Sequence, residues 1–98
     1  MDNKTLINDI SKNSGINLKL IKQLPIKSYP GRAVHYICEN ENNKYIIAVA
    51  YTSAQKYRLK RVINNIKYID SNWRKYIKVN EPINYGEVSN VFYVIYIR

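Results

Sequence analysis

The stretch KYIIAVAYTSAQKYRLKRVINNIKYI, Lys44 to Ile69, decides how this chain folds. Its first part, Lys44–Tyr51, is a short apolar run rich in β-branched and aromatic residues, the pattern of a buried strand. At Thr52 or Ser53, either of which can cap a helix, the period changes. Leu59, Val62, Ile63, Ile66 and Ile69 then form one apolar stripe of roughly 120° at about 100° per residue. Lys56, Lys60 and Lys67 flank the stripe, while Tyr57, Arg61 and Tyr68 cluster on a further face. A buried strand therefore feeds directly into an amphipathic helix.

Working outward, DNKTLINDISKNSG reads as a short helix capped by Asp2 or Asn3, with Leu6, Ile7 and Ile10 on one face and Gly15 at its end. INLKLIKQLPI alternates as a strand does, with Leu18, Leu20 and Leu24 inward. KSYPGR is a loop, AVHYICE a strand, and NENN fits a hairpin turn. After the long helix, DSNWRKYIKVNEP reads as a loop or a ragged helical extension. INYGEV and NVFYVIYIR are strands joined by a tight turn near Ser89-Asn90. The order α-β-β-β-α-β-β predicts an α+β fold in one domain, residues 1–98. A mostly antiparallel five-stranded sheet carries one main helix and a short N-terminal helix, both on one face.

Composition narrows the partners. Sixteen Lys and Arg against seven Asp and Glu give a net charge of +9, which attracts polyanions and makes affinity fall with salt. Asn, Lys, Ile and Tyr are over-used, a bias that an AT-rich genome explains for Asn and Lys. No apolar run approaches a membrane span of about 18 residues, and Met1 leads into the polar DNKT, so the sequence reads as cytoplasmic and off the membrane. A single cysteine, Cys38, allows no internal disulfide and no cysteine-cluster metal site. No cofactor, metal or small-molecule substrate is expected.

The tail VNEPINYGEVSNVFYVIYI (Val79–Ile97) is similar to the hairpin that ends the smaller, N-terminal lobe of protein kinases and of aminoglycoside- or choline-kinase-like phosphotransferases. YRLKRVINNIKYI resembles the regulatory helix of such lobes, and KYIIAVAY their lysine-bearing strand. The chemistry of that family does not carry over. Its phosphate-holding lysine falls on Ala50 and the partner glutamate near Val62, so both halves of an ion pair are missing together. Its glycine-rich loop is reduced to Gly31 in SYPGRAV, too little for a phosphate cradle. The chain stops at Arg98, near the hinge of such a lobe, without the lobe that bears a catalytic base and metal ligands. The resemblance implies a lobe used as a scaffold. In size and composition the chain is also similar to the small middle proteins of staphylococcal cassette replication operons, which partner an A-family DNA polymerase.

Two other families share parts of the element order. Double-stranded-RNA-binding domains run α-β-β-β-α, and PGRAVHY resembles their Gly-Pro-x-His loop, but of Ser53-Ala54-Gln55-Lys56 only Lys56 is basic. Restriction-type nucleases carry Glu-x-Lys where this chain has Ala48-Val49-Ala50, and a metal site there would lack its carboxylates.

The candidate binding residues follow from charge beside aromatic rings. Tyr57 and Tyr68 lie off the apolar stripe near Arg61, the combination that stacks bases and meets phosphates. The alternative is that this face packs on the N-terminal helix or the loop after it. Lys56, Arg58, Lys60, Arg61, Lys67, Arg74, Lys75 and Lys78 complete a surface for single-stranded DNA or RNA. Trp73 and Tyr76, in the cluster WRKY, are the residue types of protein-partner anchors; Trp73 could instead close the core. The functional expectation is a non-catalytic accessory protein, not an enzyme. It would bind a larger nucleic-acid-processing enzyme, such as a DNA polymerase or primase, and add a basic, aromatic nucleic-acid-binding surface. The alternatives are a pure protein-interaction module, inhibitor- or antitoxin-like, and a small ribonuclease using His35 with Tyr29 or a lysine such as Lys44.

Overall fold

The structure is a computed structural model that describes residues 2–25, 32–68 and 82–98, with the side chains of 66–68 outside that set. Seven elements follow in the expected order: α1 (Asn3–Ser14), β1 (Lys19–Gln23), β2 (Val34–Glu39), β3 (Lys44–Ala50), α2 (Ser53–Tyr68), β4 (Pro82–Val88) and β5 (Val91–Ile97). The five strands form one antiparallel sheet in the order β1-β2-β3-β5-β4.

Local chemistry sets each boundary. Asp2 accepts the Thr5 amide at 2.7 Å and starts α1; Gly15, at φ 75°, ends it in the left-handed region, where glycine carries no Cβ penalty. The Asn40 carboxamide oxygen accepts the amides of Asn42 and Asn43, both at 2.9 Å, and turns β2 into β3. Thr52 Oγ1 accepts the Gln55 amide at 3.1 Å. In return Gln55 Oε1 accepts the amides of Thr52 (3.1 Å) and Tyr51 (2.7 Å), a capping box that seats α2 at the end of β3. Ser89 and Asn90, at φ 51° and 64°, make the two-residue turn between β4 and β5, whose positive φ values match strand twist.

The helices lie on opposite faces of the sheet, which corrects the expectation that both cover one face. Leu6, Ile7 and Ile10 of α1 pack on Tyr36, Cys38, Tyr45, Ile47, Val49, Val91, Tyr93 and Ile95. Leu59 and Ile63 of α2 pack on Ala48, Ala50, Phe92 and Val94. Neighbouring positions of β3 and β5 are thus buried on both sides, and burial on both sides is what an unbroken apolar run permits.

Two further expectations change. A bulge between Leu20 and Lys22 shifts the register of β1, leaving Leu20 opposite Cys38 but Gln23 opposite Tyr36. The Leu24 amide then bonds the His35 carbonyl at 2.9 Å, so Leu24 belongs with His35 and the α2 face rather than with Leu18 and Leu20. Val62 is 41% exposed and sits at the rim of the α2 stripe instead of within it.

The α1 face is fixed by tyrosine hydroxyls that meet asparagines. Tyr36 donates to Asn3 Oδ1 at 3.1 Å and shares a 2.7 Å hydrogen bond with Tyr51 Oη. Asn13 Nδ2 donates to Tyr93 Oη at 2.8 Å, and that hydroxyl donates to Asn84 Oδ1 at 3.3 Å. Gly86 makes room for the second cluster: a Cβ there would come 3.0 Å from Tyr93 Oη and 3.2 Å from Asn13 Nδ2. Both rings are buried, so each hydroxyl needs such a partner.

Candidate nucleic-acid interface

Helix α2 carries five cations, Lys56, Arg58, Lys60, Arg61 and Lys67, and no carboxylate along its length. A helix gains stability from acids in its first turn and from opposite charges four residues apart. This one has neither, and Lys56 and Lys60 form a like-charge pair one turn apart. Its anchorage comes from the capping box and from Leu59 and Ile63 over the two alanines.

The structure divides the sequence-derived candidates into two groups. Tyr57, Arg58 and Arg61 lie on the outward side of α2, where with Ala54, Val62 and Asn65 they line an open concavity of about 530 Å³. Tyr57 is 67% exposed, and the Arg61 guanidinium stands 5.9 Å from its ring centroid, within cation–π range. Because α1 covers the other face of the sheet, this side of α2 does not pack on α1.

Lys60 instead faces β4 and β5. Its Nζ bonds Glu87 Oε1 at 3.0 Å and lies 5.2 Å over the Phe92 ring. The hydrogen bond from Lys60 and then its charge, with a smaller contribution from Lys56, hold the Glu87 carboxyl below the usual carboxylate range. Lys56 belongs to the same flank. Lys67 and Tyr68 close α2, but their side chains lie outside the described residues, as do Trp73, Arg74, Lys75, Tyr76 and Lys78 entirely.

Sequence reasoning missed Tyr85. It is 48% exposed on β4, and its ring centroid stands 6.3 Å from that of Phe92, which places it beside the Lys60 flank. Alternation along INYGEV holds the signal, since Ile83, Tyr85 and Glu87 share the exposed set of β4.

The remaining candidates are plain in geometry. His35 is half-buried on β2 opposite Ala48; burial first, and the Arg32 charge second, push its pKa below the ordinary value. Lys44 pairs with Glu39, four positions along β3 from Ala48 and so about 13 Å away, beyond reach of His35 in one site. Tyr29 lies outside the described residues. The Cys38 thiol is fully buried and pushed up to about 12 by that burial, which removes the thiolate at neutral pH. Among the described residues, no three His, Cys, Asp or Glu side chains converge, and no helix is long and apolar enough to cross a membrane.

Compared with known protein families, curated proteins and solved structures, the chain matches none.

Proposed function

We propose that this chain is a non-catalytic accessory domain that binds nucleic acid through α2 and works beside a larger nucleic-acid-processing enzyme. One observation carries the reading: an acid-free helix presents Tyr57, Arg58 and Arg61 together on an outward concavity. Aromatic rings beside guanidinium groups give the two interactions nucleic acid offers every binder. Stacking contributes about 1–3 kcal/mol per base, and phosphate contacts add a salt-dependent attraction. The exposure of Tyr57 supports a role outside the core, since a tyrosine recruited for packing would turn its ring inward. The partner enzyme is inferred from Trp73 and Tyr76, residue types enriched where proteins anchor one another.

The test is fluorescence anisotropy with a labelled oligonucleotide, comparing the native chain with the Arg58→Glu/Arg61→Glu double variant. The native chain should bind, with affinity dropping steeply from about 50 mM to 200 mM salt. The double variant should lose about tenfold or more, two phosphate contacts having become repulsive. A flat salt response, or equal binding by both proteins, would refute the proposal and favour a pure protein-interaction module.

A further inference from the structure

Lys60 lies one helical turn from Tyr57 on α2 and over the Phe92 ring, which Tyr85 neighbours on the sheet. Along α2, Lys60 follows Tyr57 by three residues, so the two side chains are neighbours on the helix surface. Across the sheet, Lys60 Nζ lies over Phe92, the ring centroid of Phe92 is 6.3 Å from that of Tyr85, and Glu87 is two residues along β4 from Tyr85 on the same exposed set. An aromatic, a cation and a second aromatic therefore run across α2 onto β4.

Resting on the nucleic-acid reading above, we propose that an unpaired strand crosses α2 and continues onto β4, with bases stacked on Tyr57 and Tyr85 and a phosphate on Lys60. Stacking on both rings requires open base faces, which a duplex keeps inside its own stack. The path selects single strands for that reason, and it takes DNA and RNA alike because the contacts use π-faces and phosphate. Glu87 holds the place of that phosphate. Its carboxylate sits 3.0 Å from Lys60 Nζ, and an incoming phosphate must displace it. The carboxylate thus acts as a built-in competitor that weakens attachment to polyanions unable to stack. The cations at this flank, Lys56 and Lys60, favour a nucleic acid over an apolar protein ligand for the exposed Tyr85 and Ile83.

The experiment uses the full chain with labelled dT and rU oligonucleotides of about 12 nucleotides, near the upper range of single-strand site sizes, and a duplex of equal length. Tyr85→Leu keeps apolar contact with Phe92 and removes the stacking face. It should weaken binding of both single strands by about fivefold or more and leave duplex binding unchanged. Glu87→Gln should tighten single-strand binding and steepen the slope of log K against log salt by up to about 0.7, because the Lys60 charge that Glu87 had neutralised is then fully available to the phosphate. Thermal melts confirm that each variant folds; if Tyr85→Leu does not, the slope in Glu87→Gln decides alone. The proposal is overturned if Tyr85→Leu binds as the native chain does while Arg58→Glu/Arg61→Glu fails, or if duplex binding falls equally. An unchanged slope in Glu87→Gln overturns it too, as does an acidic peptide that competes through Tyr85. No binding of any oligonucleotide by the native chain removes the nucleic-acid reading itself.

Discussion

His35 is half-buried on β2 opposite Ala48, and both burial and the Arg32 charge disfavour its protonated form. The unfolded chain takes up a proton near the ordinary value of 6.5, whereas the folded chain resists until lower pH. Unfolding therefore binds protons, and stability, complete above pH 6.5, falls as pH drops below it. Melting temperatures between pH 7 and pH 5 should decline in the native chain and flatten in His35→Gln. Asp2 and Glu87 are both held below their ordinary values, so their contributions are lost only at more acidic pH. The asparagines show what a residue-level reading leaves out. Composition offered a genomic cause for them, yet Asn3, Asn13 and Asn84 each meet a buried tyrosine hydroxyl, and Asn40 makes a turn. Nothing in the sequence marks those pairings, because Asn13 and Tyr93 are 80 residues apart.

At the scale of elements, α2 depends on what is absent beneath it. Ala48 and Ala50 are buried under Leu59 and Ile63, and their methyl groups set how closely the helix approaches the sheet. Ala50→Leu adds volume at a site with no exposure, opposite Phe92, and should cost about 1–3 kcal/mol in urea unfolding. An unchanged midpoint would mean that α2 is free to lift. The helix boundaries were legible, since Asp2, Gly15 and Thr52 act locally and sit where the apolar period changes. The bulge in β1 was not. It follows from fitting β1 against β2, and it sends Leu24 to the face opposite Leu20 without any glycine or proline inside the strand to announce it.

For the whole molecule, the charge of +9 opposes compaction while it attracts polyanions. Raising salt from about 50 mM to 300 mM shortens the Debye length and screens this repulsion. The melting temperature of the free chain should rise over the same range in which oligonucleotide affinity falls, and circular dichroism melts beside anisotropy check both. A falling melting temperature would show that the cations of α2 are balanced within the fold. The order of elements and their antiparallel pairing were determined by sequence alone, because strand runs, hairpin turns and caps are written within a few residues of one another. Which face each helix covers was decided only by tertiary structure. The runs YIIAVA and VFYVI are apolar at both parities and so permit helices on either or both sides. The same holds for the site: periodicity places Tyr57 and Arg61 on one helix face, but only packing α2 across β5 toward β4 joins Lys60 to Glu87 and brings Tyr85 beside them.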